Sequence, residues 1–473
     1  MNIVLLLPEL ILATFGCLVI IVDLFLPETA KDVDLSLILA GFVASAGATL
    51  ALVGRNTTSF YGMLVVDNFA IFFKLAFLAA GALVALSAVA FLKRHPGRDG
   101  EFYGLLAFST TGMMLMASTR DLISIYIALE LTSISLCALV CLAKGDAKSS
   151  EAAIKYLLLG ALSSAVLLYG MAVLYGLTGS TDLGEIATVL GKASSPALLL
   201  AMSLVAAGFG FKIAAVPFQM WAPDVYEGAP TPVTAFLSVA SKAAGFAVII
   251  RVFTVAFAAV QPEWISLFAV LSALTMVLGN VVALTQRNIK RMLAYSSIGH
   301  AGYLLMGVAA ANVAGISSVM FYLAGYMVTN LAAFGVVILA SRAIPDDTIE
   351  GYSGLHRRSP VLALVLALSL LSLAGLPPMV GFFAKFYLFA AAYQAGLVWL
   401  VVLGLLTSAI SLFYYTWVIR QMYLVAPTSE EPIRFPTTAF VSVAAALVAV
   451  FVLGIYSDPF VSFARVAVAS MVH

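Results

Sequence analysis

Almost the whole chain is a succession of apolar stretches, each long enough to cross a bilayer, and this constrains the fold more than any single residue does. The stretches cover approximately 3–26, 35–54, 68–92, 102–118, 121–142, 152–177, 196–226, 231–257, 262–284, 292–310, 315–341, 360–395, 397–424 and 436–456. About 20 apolar residues span the hydrocarbon as an α-helix. The runs are continuously apolar and too long for the alternating strands of a membrane barrel. The expected fold is therefore an all-α polytopic membrane protein with about fourteen transmembrane helices. Of 473 residues, 63% are hydrophobic and only 10% are charged, where soluble domains carry about 25% charged residues. A soluble enzyme and a disordered chain are both excluded. A net charge of +1 speaks against a nucleic-acid partner. Cys17, Cys137 and Cys141 fall inside apolar runs and form no metal-binding or disulfide pattern. No Gly-rich nucleotide motif is present. The first run opens with Asn2, without Lys or Arg and without a cleavage pattern, so it is expected to be retained.

The connections between runs are short, and their Lys and Arg residues set the orientation. Connections after odd-numbered runs carry fourteen cations, among them Lys93, Arg94, Arg291, Arg357 and Arg358. The other side carries Arg55, Arg120, Lys192, Arg251 and Arg465. The odd connections are thus expected in the cytoplasm, with both termini on the outer (periplasmic) side.

Five lysines remain inside the runs: Lys74, Lys155, Lys212, Lys242 and Lys385. An ionisable side chain within the membrane costs at least about 2.5–3.5 kcal/mol on insertion scales, so each needs a reason. Lys74 lies near an outer end, where snorkelling explains it. Lys155 lies near the cytoplasmic start of its run and either snorkels or reaches a neighbouring helix. Lys212, Lys242 and Lys385 are far from the ends of their runs. An ammonium in a low-dielectric interior gives up its proton more readily than in water, which suits a proton path. The plainer alternative is a fixed lysine paired with a carboxylate or with helix carbonyls. One acid is comparably deep: Glu130, in LISIYIALELTSISLCALV, with Lys212 as its expected ion-pair partner on another helix. Such a pair either switches protons or statically fixes two helices. His300, with Ser296 and Ser297 one turn earlier, either carries a proton or packs through hydrogen bonds. Glu9, Asp23 and Asp67 lie near run ends and read as interfacial anchors.

Two runs contain proline and are too long for one crossing. Gly208, Gly210 and Pro217 flank Lys212, and Gly375, Pro377, Pro378 and Gly381 precede Lys385. Proline removes a backbone hydrogen bond and clashes with the preceding turn, so helices 7 and 12 should break there. Backbone freed inside a membrane must be buried or hydrated, and paired breaks in transporters mark inverted repeats. The expected organisation is three N-terminal helices (1–95), a first five-helix repeat (100–257), a second, inverted repeat (262–425), and a C-terminal helix with a tail (436–473). Aligning Arg251 with Arg420 places Ser411 where Lys242 stands, so the second repeat lacks that lysine.

Three segments carry a resemblance: GFKIAAVPFQMWAPDVYEGAPTPVTAFLSVASKAAGF (210–246), RNIKRMLAYSSIGHAGY (287–303) and LAGLPPMVGFFAKF (373–386). Together they closely resemble the subunit N family of the bacterial proton-pumping NADH–quinone oxidoreductase, respiratory complex I, one of its antiporter-like subunits. The motifs cover roughly 100–425. PDVYEGAPTPVTAFL is more like subunit N than subunits L or M, and differs from the related multi-subunit sodium/proton antiporters. The resemblance implies a proton path of Glu130, Lys212, Lys242, His300 and Lys385, with Lys155, Pro217, Pro377, Pro378 and Ser411 in support. It implies a pump subunit of a translocating enzyme in the bacterial plasma (inner) membrane, beside subunits M and K and in contact with lipid. It implies no cofactor in this chain: NADH, FMN, iron–sulfur clusters and quinone belong to partner subunits. Two other readings stand beside it, a subunit of a cation/proton antiporter and a structural module that assembles the membrane arm.

Overall fold

The computed structural model describes residues 2–27, 30–191, 195–344, 346–427 and 429–472, so Lys192 lies outside the described residues. The first part of the chain runs α1 (Leu7–Asp23), α2 (Asp32–Leu50), β1 (Thr57–Ser59), β2 (Leu64–Val66), α3 (Asn68–Leu92), α4 (Asp99–Ser118), α5 (Leu122–Val140) and α6 (Ala147–Thr178). The middle runs α7 (Leu183–Leu190), α8 (Pro196–Ile213), α9 (Trp221–Gly228), α10 (Thr231–Phe236), a π-helical turn (Leu237–Ser241) and α11 (Lys242–Val255). The remainder is α12 (Gln261–Ala283), α13 (Ile289–Ala309), α14 (Val313–Ala340), α15 (Leu355–Arg358), α16 (Pro360–Ala374), α17 (Val380–Gln394), α18 (Val398–Leu424), α19 (Thr437–Ile455) and α20 (Ser457–Val472). Among the described residues, eleven helices are long and apolar enough to cross a membrane. The apolar runs outside those eleven are α4, α13 and the divided pair α16/α17.

Two helices are walled in by the rest. The continuous segment Thr231–Val255 is wholly buried, and α14 nearly so. By contrast α6 exposes Ile154, Leu158, Leu162 and Tyr169, as a lipid- or subunit-facing helix does. Three small features lie outside the sequence reading. Thr57–Ser59 pairs antiparallel with Leu64–Val66, with Thr57 opposite Val66, around a turn that uses Gly62 at φ 91°. α7 fills part of the connection after α6. The C-terminal tail is helical because Val461, Ala464, Ala467, Val468 and Met471 recur at helical spacing and are buried, while Arg465 points out.

The N-terminal helices correct several expectations about charge. Lys74 does not snorkel: its side chain is 0% exposed and its Nζ lies 2.7 Å from Glu9 Oε1. Glu9, on α1, is therefore a buried counter-ion and not an interfacial anchor. Asp67 is likewise no anchor. It caps α3 by accepting from Ala70 N at 2.7 Å and takes both terminal nitrogens of Arg251, at 2.9 and 3.1 Å. Arg251 is thus not a loop cation; it lies buried on α11 and also donates to Ala117 O. A planar guanidinium matches a carboxylate at two points, so this contact fixes α3 against α11 and the end of α4.

Removing one partner of a buried ion pair strands the other, at about 3–5 kcal/mol. Lys74→Met is therefore expected to lower the thermal stability of the solubilised protein sharply. Adding Glu9→Gln to Lys74→Met should recover most of the loss. Equal melting temperatures for wild type and Lys74→Met would show that the pair contributes nothing.

Candidate functional site

Both expected breaks are present, and they are built alike. α8 ends at Ile213 with Ala214 in the left-handed region (φ 56°), and α9 begins only at Trp221. α16 ends at Ala374 with Gly375 left-handed (φ 94°), and α17 begins at Val380. The Val216–Pro217 and Pro377–Pro378 peptide bonds are cis. Each break exposes carbonyls that its own helix no longer satisfies. Trp221 Nε1 donates to Phe211 O at 2.8 Å, and Thr275 Oγ1 accepts from Val216 N at 3.0 Å. In the second break the freed Ala374 carbonyl accepts from Lys385 Nζ itself, at 2.9 Å.

This places the two lysines in equivalent physics from opposite sides of their breaks. Lys212 lies in the last turn of α8, and Lys385 reaches back from α17 to the last carbonyl of α16. The C-terminal end of a helix carries partial negative charge, which stabilises a cation there. Gly375 gives Lys385 its room: a Cβ on residue 375 would lie 3.0 Å from Lys385 Cδ and 3.4 Å from its Nζ.

The expected Glu130–Lys212 ion pair is not a direct contact. Lys212 Nζ donates to Ser133 Oγ at 2.5 Å and to the Tyr156 hydroxyl at 3.3 Å. The half-buried Glu130 carboxylate accepts from Ser164 Oγ. Ser133 lies one turn beyond Glu130 on α5, and Ser164 lies two turns beyond Tyr156 on α6. The acid and the lysine are therefore held by separate hydroxyls on the same two helices, α5 and α6. A hydroxyl both donates and accepts, so each of these partners suits either protonation state of the group it holds.

Lys242 opens α11 directly after the π-helical turn, where the helix widens by one residue. Its Nζ donates to Ser297 O and Ser297 Oγ, both at 2.5 Å. Ser296, the neighbour of Ser297, bonds the Tyr415 hydroxyl. His300 holds Tyr322 OH at 2.6 Å through Nδ1 and Tyr415 OH at 3.3 Å through Nε2. Tyr414, beside Tyr415, donates to Asn280 Oδ1 at 3.0 Å. Asn280 Nδ2 donates to Tyr303 OH, and Tyr303 OH to Thr407 Oγ1, each at 3.2 Å. Ser408, beside Thr407, accepts from Lys385 Nζ at 2.8 Å, and that ammonium lies 5.2 Å from the Tyr303 ring centre. Hydrogen-bonded islands thus run from Lys242 to Lys385, joined through adjacent residues at 296–297, 414–415 and 407–408. Ser411 makes no hydrogen bond with a lysine among the described residues; it donates to Ser408 O at 2.6 Å, next to the Lys385 contact.

Sequence reading missed Ser133, Tyr156, Ser164, Asn280, Tyr322, Tyr415 and Ser408. Their shared signal is polarity in the middle of an apolar run. Lys212 and Lys242 share no hydrogen-bond partner among the described residues. Gly245, one turn after Lys242, lets α8 approach: a Cβ there would lie 3.4 Å from Lys212 Cβ.

Lys155 does reach across to a neighbour. Its Nζ lies 2.6 Å from Glu151 and 2.7 Å from Asp224 on α9. Arg291 of α13 bonds Asp224 at 2.8 Å and Glu227 at 2.9 Å, and Lys148 lies 3.1 Å from Glu227. Burial raises the Glu227 carboxyl, but hydrogen bonds from Arg291 and Lys148 outweigh it and hold it below its ordinary range. The cluster ties α9, the second half of the first broken helix, to α6 and α13. Lys155 is followed directly by Tyr156, so one turn of α6 carries both this ionic tie and a partner of Lys212. Among the described residues, no group of His, Cys, Asp or Glu side chains comes together as a metal site.

Comparison with known proteins adds to this geometry. Residues 119–411 match the family described as NADH:quinone oxidoreductase/Mrp antiporter, TM. The NADH-quinone oxidoreductase subunit N of Trichlorobacter lovleyi is 46% identical over 473 residues, covering 99% of this chain and 97% of that one. That of Heliobacterium modesticaldum is 47% identical over 419 residues, covering 88% of each. A chain of respiratory complex I from Thermus thermophilus superposes with a TM-score of 0.80 at 34% identity, covering 96% of this chain and 98% of that one. A chain of the Mrp complex from Dietzia shares the fold, with a TM-score of 0.89 at 22% identity over 99% of this chain and 97% of that one.

Gly375→Ala tests the second break. A side chain at φ 94° is strained by about 1–3 kcal/mol and crowds Lys385. The variant is expected to melt earlier and, in its structure, to show Lys385 Nζ moved off Ala374 O. An unshifted ammonium with unchanged stability would mean that this glycine plays no part in seating Lys385.

Proposed function

The chain belongs to the subunit N family of NADH-quinone oxidoreductases, and from that membership we propose that it carries protons across the membrane as a membrane-arm subunit of that complex. The carriers are Glu130, Lys212, Lys242, His300 and Lys385, with the hydroxyls between them completing the path. Quinone reduction takes place in other subunits and drives this one. NADH, FMN, iron–sulfur clusters and quinone are bound by those partners, and this chain holds no redox group. Its neighbours are subunits M and K. It crosses the bacterial plasma membrane fourteen times with both termini outside, and its working core consists of two inverted repeats, 100–257 and 262–425.

One observation carries this reading: the ammoniums of Lys212, Lys242 and Lys385 are all buried, and each is held by oxygens, with no carboxylate in salt-bridge contact among the described residues. An ion pair built for stability would supply a counter-charge within contact distance, as Glu9 does for Lys74. Neutral oxygens support both the charged and the neutral amine. The proton is then free to leave when a neighbouring charge or water rearranges.

The test exploits the difference between the two basic side chains. Arginine keeps its proton, whereas lysine releases it when desolvated. In the assembled complex in membrane vesicles, Lys212→Arg is expected to leave assembly intact but to lower quinone-linked proton pumping about tenfold or more, as loss of a positioned proton carrier does. Full pumping by Lys212→Arg would make Lys212 a fixed charge that shapes the arm.

A further inference from the structure

α9 is only eight residues long, yet it touches the partners of two path lysines. At its first residue, Trp221 donates to Phe211 O at 2.8 Å, one residue before Lys212. The Trp221 ring also packs edge-on against Tyr156, which accepts from Lys212 Nζ, with ring centres 5.2 Å apart. Toward its other end, the buried Tyr226 places its hydroxyl 3.5 Å from Ser297 Oγ, which accepts from Lys242 Nζ. The Tyr226 carbonyl accepts from Thr234 Oγ1 at 3.0 Å, on the segment that leads through the π-helical turn to Lys242.

So short a helix does not hold its own place. Isolated helices below about 12–15 residues are marginal, and the break cuts α9 off from α8. Its position comes from tertiary contacts. Gly228, its last residue, lies directly on the start of α6, since a Cβ there would collide with Lys148 O and Ala152 Cβ. On the other side stands Arg291. Its Nη1 donates to Asp224 Oδ1 at 2.8 Å and to Glu227 Oε2 at 2.9 Å, two acids one turn apart on either side of Tyr226 in sequence. Lys155 and Lys148, both on α6, each meet one of these acids. Among the described residues, Arg291 is the cation that meets both. It lies in the first turn of α13, the helix that also carries Ser297 six residues later, about 9 Å along the axis.

We propose that Arg291 is a positioning residue of the proton path. It carries no proton in transit. By bridging Asp224 and Glu227 it seats α9 against α13, so that Trp221 and Tyr226 keep the partners of Lys212 and Lys242 in place. This inference rests on the proton-carrying role proposed above for those two lysines.

The test uses the assembled complex in membrane vesicles. Arg291→Gln removes the bridge and is expected to leave assembly intact but to lower quinone-linked proton pumping about fivefold or more, as a small misplacement of reacting groups does. Arg291→Lys is expected to keep more than half of wild-type pumping, because one nitrogen meets both acids and an ammonium also donates more than once. Tyr226→Phe leaves the ionic cluster intact and removes only the hydroxyl beside Ser297; it should share the loss. The double variant Arg291→Gln/Tyr226→Phe should pump no worse than the poorer single variant, because residues that act through one contact are not additive. Losses that multiply in the double variant would overturn the inference, and so would full pumping by Tyr226→Phe. Normal pumping by Arg291→Gln beside a loss in Lys212→Arg would overturn it while leaving the proton-path reading standing. Full pumping by Lys212→Arg would overturn that reading and this inference with it.

Discussion

The meeting of a buried ammonium with the negative end of an interrupted helix is the contact on which the rest of the site depends. A lysine within a membrane is costly, and so is a carbonyl left without its helical partner. Placing one against the other reduces both costs. In the second break the contact is explicit, Lys385 Nζ to Ala374 O at 2.9 Å. In the first, Lys212 occupies the last turn of α8, Trp221 holds the Phe211 carbonyl, and the hydroxyls of Ser133 and Tyr156 receive the ammonium. The prolines and the left-handed Ala214 and Gly375 interrupt the helices at these ends, and Gly245 lets α11 pack closely on α8 beside Lys212.

The three path lysines contrast with two other buried cations, Lys74 and Arg251. Lys74 and Arg251 face carboxylates at salt-bridge distance and tie α3 to α1 and to α11. Lys212, Lys242 and Lys385 face hydroxyls and carbonyls. The same charge thus serves two purposes in one bilayer, and the identity of the acceptor separates them. A carboxylate fixes the charge and the helices with it, whereas neutral oxygens hold the amine without committing it to one protonation state.

Much of this was legible in the sequence because few charges are available to explain. Helical runs, breaks at Pro217 and Pro377–Pro378, and the deep positions of Glu130, Lys212, Lys242, His300 and Lys385 follow from local pattern alone. What local pattern hides is pairing over distance. Asp67 and Arg251 are 184 positions apart, and nothing near either names the other. Lys74 and Glu9 both lie near run ends, where snorkelling is a reasonable expectation, and only packing brings them together inside. The Glu130–Lys212 pair fails for a subtler reason. Opposite charges on neighbouring helices suggest contact, but Lys212 is held by Ser133 and Tyr156 and Glu130 by Ser164, and hydroxyls carry little weight in a reading based on charge. The C-terminal tail was missed because α20 is too short and too polar to resemble a span, although its buried stripe has helical spacing.

The buried lysines form one line, and among the described residues no protein group bridges the stretch between Lys212 and Lys242. A high-resolution map of the whole complex, with ordered water visible, addresses that stretch most directly. The account predicts water molecules bridging the Lys212 ammonium, beside Ser133 and Tyr156, to the Lys242 ammonium, beside Ser297. A dry, closely packed gap between the two lysines in every state of the working complex would contradict it.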